Sequence, residues 1–196
     1  MTYIDDQIGR LLDYLDRSGL RENTLVIFTS DHGDNLGEHG GLLDKGFVHF
    51  ESTHRIPLLM RGPGVPAERR DELVSLVDIY PTVLDAAGVA CPEGRHGRSL
   101  LDRSAPPRDS IVVEFHGLNE VTLSMRTIRS GMRKYGWTAC GGDEFYDLSS
   151  DPFETNNRSH DPAVQGDVRA FRQKLLEWMR ETDDPLARQY ERLMRG

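Results

Sequence analysis

The chain has 196 residues, 37% of them hydrophobic and 29% charged, enough for one domain with a core or for a domain with a small appendage. A formal charge of −8 argues against the basic face of a nucleic-acid binder and suits a small-molecule enzyme or a metal binder. Cys91 and Cys140 form no CxxC pair, which argues against a disulfide framework or a zinc ribbon and leaves two unpaired thiols.

Residues 3–18 carry Ile4, Ile8, Leu11, Leu12 and Leu15 at steps of three and four, with Asp5, Asp6, Arg10 and Asp16 on the other face. That spacing predicts an amphipathic helix, and Gly19 stands where a helix-terminating glycine belongs. Asp5 and Asp6 also occupy the place where a signal peptide would be basic. No run reaches the ~18 apolar residues of a membrane span. Neither nucleic acid nor membrane is expected as a partner, and for the chain itself a cytoplasmic location is favoured.

After a polar turn at 20–24, Leu25 to Thr29 is a short apolar run, predicted as a strand buried on both faces. Helix, turn and buried strand together read as half of a parallel α/β unit. The polar string TSDHGDNLGEHG, residues 29–40, follows the C-terminal end of that strand, where ligands bind in open parallel sheets. Arg55 to Met60 is a second strand candidate, closed by Gly62-Pro63-Gly64, and Leu73 to Leu76 a third. Residues 78–87 read as a short helix, with Pro81 tolerated in its first turn and Gly88 ending it. A Pro-, Gly- and Arg-rich connection over 91–110 leads to a strand at Ile111 to Phe115.

Thr122 to Ser130 and Met132 to Thr138 alternate as a hairpin does, with Gly131 at the turn. Asp143 to Leu148 adds a strand, Asp151 to Asn157 a turn, and residues 163–182 a helix on which Val168, Phe171, Leu175, Trp178 and Met179 share a face. The expected organisation is an α/β part over 1–118, with helices flanking a partial sheet. A small antiparallel sheet with a C-terminal helix follows over 119–196.

Asp31 and His32 offer a hard carboxylate and an imidazole, both suited to a divalent cation, directly after a strand. Gly33 is expected to allow the sharp turn that brings both toward one point. Two protein ligands do not close a metal site, so others must come from elsewhere. Among the lone histidines, His49 and His54 read as surface or satisfied core residues. His39 and His116 are the pocket candidates, although a hydrogen bond within the loop is the simpler role for His39. His116 directly follows a strand.

The string Ser30-Asp31-His32-Gly33-Asp34-x-Leu36-Gly37-Glu38-His39-Gly40 continues into Gly41-Leu42-Leu43-Asp44-Lys45 and Phe50-Glu51-x-x-x-Arg55-Ile56-Pro57-Leu58. Together these resemble the C-terminal half of a sulfatase of the alkaline phosphatase superfamily. The flanking segments Tyr3 to Leu12, Val74 to Thr82, Gly97 to Leu101 and Tyr146-Asp147-Leu148-x-x-Asp151-Pro152-x-Glu154 carry the likeness across most of the chain.

The resemblance implies that Asp31 and His32 are two ligands of a catalytic divalent metal, calcium in a sulfatase. It implies that Lys45 contacts the transferred sulfuryl oxygens, while Glu51 and Arg55 read as a structural pair holding the loop, in preference to a substrate contact. Asp-His at the metal position also occurs in phosphonate monoester hydrolases, so a phosphonate or phosphate ester hydrolase, with manganese, is the alternative. The family's nucleophile is a formylglycine made within C/S-x-P-x-R. The match Cys91-Pro92-Glu93-Gly94-Arg95 has its proline one place early and lies in a connecting loop, so it is rejected. The aspartate pair of the family's first strand is also not matched, because Asp5-Asp6 lies on the first helix.

On this reading the chain begins in the middle of the family's domain. It is then a fragment, one piece of a split enzyme completed by an N-terminal half, or a non-catalytic remnant used for binding. The implied substrate is a sulfate-ester small molecule or glycan.

Overall fold

A computed structural model describes residues 2–94, 96–117, 120 and 122–194. Arg95 of the rejected cysteine match and the expected 118/119 boundary lie outside the described residues. In chain order the elements are α1 (Thr2–Arg17), β1 (Val26–Thr29), the single turns α2 (Glu38–Gly41) and α3 (Glu51–His54), β2 (Leu58–Arg61) and α4 (Ile79–Ala86). Then come β3 (Ile111–Phe115), β4 (Met125–Ser130), β5 (Arg133–Thr138), β6 (Glu144–Asp147), α5 (Gln165–Glu181) and α6 (Ala187–Met194). They fall into two compact units with interleaved segments. One holds the residues up to Asp31 with Pro57–Pro106; the other holds His32–Ile56 with the residues from Pro107 onward. No helix of the described residues is long and apolar enough to cross a membrane.

In the first unit α1 ends as its sequence predicts. Gly19 takes φ +72°, and Leu20 N–H donates to Leu15 O (3.2 Å), closing the carbonyls that the helix leaves open. β1 departs from expectation. It pairs antiparallel with β2, Val26 opposite Arg61 and Thr29 opposite Leu58, so the chain leaves and re-enters the sheet at one end. The pairing within this chain is antiparallel and not the parallel one expected, and Phe28 of β1 and Leu59 of β2 are exposed. A short apolar run signals a strand but carries no information on the direction of its partner.

The strand expected at Leu73 to Leu76 is absent. Ser75 N–H donates to Asp78 Oδ2 (2.9 Å), and this Ser-x-x-Asp capping box opens a 3-10 turn that runs into α4. Pro81 sits in the first turn of α4, and Gly88 (φ +67°) follows its end, as predicted. Asp78, fully buried, also accepts from Arg98 N–H (2.9 Å).

The second unit is built on an antiparallel sheet in the order β3-β4-β5-β6. The predicted hairpin is present, with Gly131 at φ +56° between β4 and β5. β3 pairs with β4, Val112 opposite Ile128, and is therefore part of this sheet. Ile128, Tyr135, Trp137 and Phe145 pack against Val168, Leu175, Leu176 and Met179 of α5 to form the core. The α5 face is the one its spacing predicts, with Phe171 and Trp178 partly buried beside it. The added helix α6 sends Tyr190 into the same core. Arg126 on β4 and Asp184 between the two helices are both buried, with Nε to Oδ2 2.6 Å and Nη2 to Oδ1 3.2 Å.

Candidate functional site

Asp31 and His32 follow β1 consecutively; Asp31 is exposed and His32 half-buried. His32 Nδ1 lies 2.7 Å from Gly33 O, and because a carbonyl oxygen can only accept, the ring donates from Nδ1. A backbone carbonyl that orients an imidazole in this way is the usual outer partner of a metal-ligating histidine.

Gly33 serves a different purpose from the one its sequence suggests. Its φ is not positive; the need is for space, because a Cβ there would stand 1.9 Å from Ser52 O. Gly33 N–H donates to Thr53 O (2.9 Å), so Gly33 lies directly on the backbone of α3.

The loop beyond is held by Asn35, which is buried. Its side-chain amide donates to Asp44 O, and its Oδ1 accepts from Ser52 Oγ (2.9 Å). Four non-glycine residues between these points, Leu36, His39, Asp44 and Phe47, have φ between 48° and 89°. Such a concentration of left-handed residues persists only where surrounding contacts fix it. Lys45, next to the Asn35 anchor, is exposed, and its N–H donates to Asp44 Oδ1 (2.7 Å). Among the described residues its ammonium makes no ion pair.

Aromatic contacts seat the loop on the sheet. The His39 ring lies flat on Phe50, with centroids 3.5 Å apart and planes 6° from parallel. Phe50 then meets Tyr146 of β6 at 6.2 Å, and Phe47 meets Phe115 of β3 edge-on at 5.1 Å. His116, the next residue, is exposed, and its Nε2 is 3.6 Å from Glu114 Oε1.

His49 is a satisfied core histidine. Its Nδ1 and Nε2 lie 2.6 and 3.0 Å from the hydroxyls of Thr127 and Thr138, and it fills the space left by Gly136 on β5. A glycine inside a predicted strand is the signal that could have marked this close approach. Burial and the Lys134 ammonium lower its pKa to about 3; burial, Lys134 and His49 lower that of His54 to about 3.

An unfolded histidine titrates near 6.5, so below that pH the unfolded chain binds more protons and stability falls as pH falls toward 3. Each ring contributes a slope of up to about 1.4 kcal/mol per pH unit in that window, and its stabilising share is complete above 6.5. Urea midpoints between pH 7 and 5 should therefore drop, and His49→Gln should flatten the slope. An unchanged slope in the variant would remove His49 from this account.

The expected Glu51–Arg55 pair is not formed. α3 ends after one turn, and Arg55 is extended (φ −88°, ψ 107°) and exposed, so the two side chains part. Glu51 pairs with Arg129 of β4 and, at 3.5 Å, with Lys134 of β5. Its backbone N–H donates to Glu154 Oε2 (2.6 Å). Glu154 pairs through Oε1 with the buried Lys134. Burial raises the Glu154 pKa, against the opposing pull of Lys134. Neither Asn35 nor Glu154 stood out as a site residue, since nothing in a polar loop or a turn marks which of its side chains is buried. His32, His39 and Lys45 thus lie along one braced loop. Among the described residues, no group of three or more His, Cys, Asp or Glu converges as a metal cage.

Residues 1–89 match the family model described as Sulfatase. The chain is 32% identical to the choline-sulfatase of Rhizobium meliloti over 96% of its own length and 38% of that protein's. A solved 2-O GAG sulfatase superposes with a TM-score of 0.85 at 28% identity, covering 92% of this chain and 41% of that one. The phosphonate monoester hydrolase of Agrobacterium radiobacter superposes with a TM-score of 0.81, also at 28% identity, over 91% of this chain and 39% of that one. The chain thus spans about two fifths of the length of these relatives.

Proposed function

Because the chain belongs to the sulfatase family of the alkaline phosphatase superfamily, we propose that it supplies the metal-ligand loop of a sulfuric ester hydrolase. Asp31 and His32 hold a divalent cation, calcium by preference, and the metal when bound polarises the ester. Lys45 faces the sulfuryl oxygens and stabilises their charge as the ester bond breaks. His39 and His116 line the pocket. The observation that carries this reading is the His32 ring, whose Nδ1 bond to Gly33 O is of the kind that fixes a metal-ligating histidine. The donor chemistry fits a hard or borderline dication.

The substrate class is a sulfate ester on a small molecule or a glycan, which the glycosaminoglycan sulfatase among the structural relatives supports. The remaining ligands and the formylglycine nucleophile come from further sulfatase-domain chain. The exposed apolar face of α1, with Tyr3, Ile4, Leu11 and Tyr14, offers that chain a surface to cover. The phosphonate hydrolase relative supports a second reading, in which manganese replaces calcium and the ester is a phosphonate.

The test is hydrolysis of an aryl sulfate and an aryl phosphonate by this chain mixed with the N-terminal half of a sulfatase. Turnover is expected in the mixture and not in either part, abolished by Asp31→Ala and reduced at least about a hundredfold by Lys45→Ala. The preferred ester selects between the two readings. A folded complex silent toward both esters would leave the chain as a binding remnant.

A further inference from the structure

We propose that Glu154 and Lys134 are positioning residues that act through α3 on His32 and Lys45, an inference that rests on the roles given to those two residues above. α3 is a single turn, Glu51–His54, too short to hold its own shape. It is gripped from one side and grips in turn on the other. On the first side Glu154 accepts from Glu51 N–H, Lys134 bridges Glu154 and Glu51, and Arg129 closes on Glu51. Lys134 and Glu154 are almost wholly buried, and two cations balance two anions, so the group is neutral as a whole. Glu154 also holds φ +53°, a backbone state that a non-glycine residue keeps only where its surroundings demand it.

On the other side Thr53 O receives Gly33 N–H, Ser52 O blocks any side chain at 33, and Ser52 Oγ donates to Asn35. Asn35 in turn holds Asp44 O, one residue before Lys45. An unbroken path of hydrogen bonds and one helical turn therefore joins Glu154 to the backbone of Gly33 and Asp44, the neighbours of His32 and Lys45. If the charged group only stabilised the sheet, a change at Glu154 would stop at Glu51.

The experiment is amide NMR of the whole chain, with Mn2+ added to broaden signals near its binding site. Glu154→Gln keeps the shape and an acceptor for Glu51 N–H while removing the charge that faces Lys134. It is expected to shift the Gly33 and Asn35 signals, speed Gly33 N–H exchange, and weaken Mn2+ broadening at His32 and Gly33 by about tenfold in affinity. The α5 signals should stay in place. Ser52→Ala, which leaves the charged group whole, should shift Asn35 and Lys45 alone.

A folded Glu154→Gln chain with unchanged Gly33 exchange and unchanged Mn2+ affinity overturns the proposal. If that variant does not fold, unchanged Asn35 and Lys45 signals in Ser52→Ala overturn it. Absence of Mn2+ broadening at His32 in the unmodified chain counts against the metal reading, and Gly33 exchange then decides the positioning claim by itself.

Discussion

Asp184→Ala is expected to destabilise the second unit by about 3–5 kcal/mol, a large part of the stability of an ordinary domain. The cost comes less from the lost bond than from what remains. Arg126 is fully buried, and without Asp184 its guanidinium keeps Met125 O (2.8 Å) and the half-exposed Glu114, 3.4 Å away. Asp184 also accepts from Leu186 N–H (2.8 Å), so its removal loosens the turn that leads into α6. Both tryptophans, Trp137 and Trp178, lie in or against this core, so their fluorescence during urea unfolding reads the unit directly. The double variant Arg126→Met with Asp184→Leu should recover most of the loss, because neither charge is then left alone. A loss under 1 kcal/mol in Asp184→Ala would mean that Glu114 suffices as partner.

Gly33→Ala is the second large effect, expected to cost about 3 kcal/mol and to dislodge the loop. The added methyl would meet a backbone carbonyl, Ser52 O, at 1.9 Å, and no side-chain rotation can relieve it. Either α3 moves away or Gly33 N–H gives up Thr53 O. In both cases His32 loses its place, whichever metal it binds. Thermal unfolding measures the cost. Hydrogen exchange at Asn35, whose N–H is bonded to Asp44 O (3.4 Å), reports whether the loop has come loose. An alanine variant of wild-type stability with protected Asn35 would show that α3 yields freely.

The elements that could be read from residues alone are those fixed by local chemistry. Gly19 and Gly88 end their helices through positive φ, Gly131 turns its hairpin, and the five apolar positions of α5 bury one face. Where expectation and structure part, the deciding partner lies far along the chain or is the backbone itself. β1 finds an antiparallel neighbour beyond a long polar excursion, which no feature of Leu25 to Thr29 encodes. Glu51 bypasses Arg55 for Arg129 and Lys134, because α3 stops one turn after it starts. Ser75-x-x-Asp78 was legible as a capping box, but the apolar residues around it suggested a strand. For the site, residue types identified Asp31, His32 and Lys45 as candidates. The bracing by Asn35 and Glu154 depends on burial, which the sequence pattern does not express.

The contacts that seat the loop join residues far apart in the order of synthesis. His49 meets Thr127 across 78 positions, and Glu51 meets Glu154 across 103. Such contacts close large loops before they are rewarded, and folding that depends on them is slow. On the ribosome the loop with His32 and Lys45 emerges before its clamp and waits until β4, β5 and the Glu154 turn have followed. During that interval its left-handed residues have only the local Asn35 bonds to hold them, so the loop takes its working shape only after the Glu154 turn has been made. Translation pauses between Pro57 and Pro106 would prolong this exposed interval, and a protease should cut the loop at residues 36–47 in the nascent chain and spare it in the finished one.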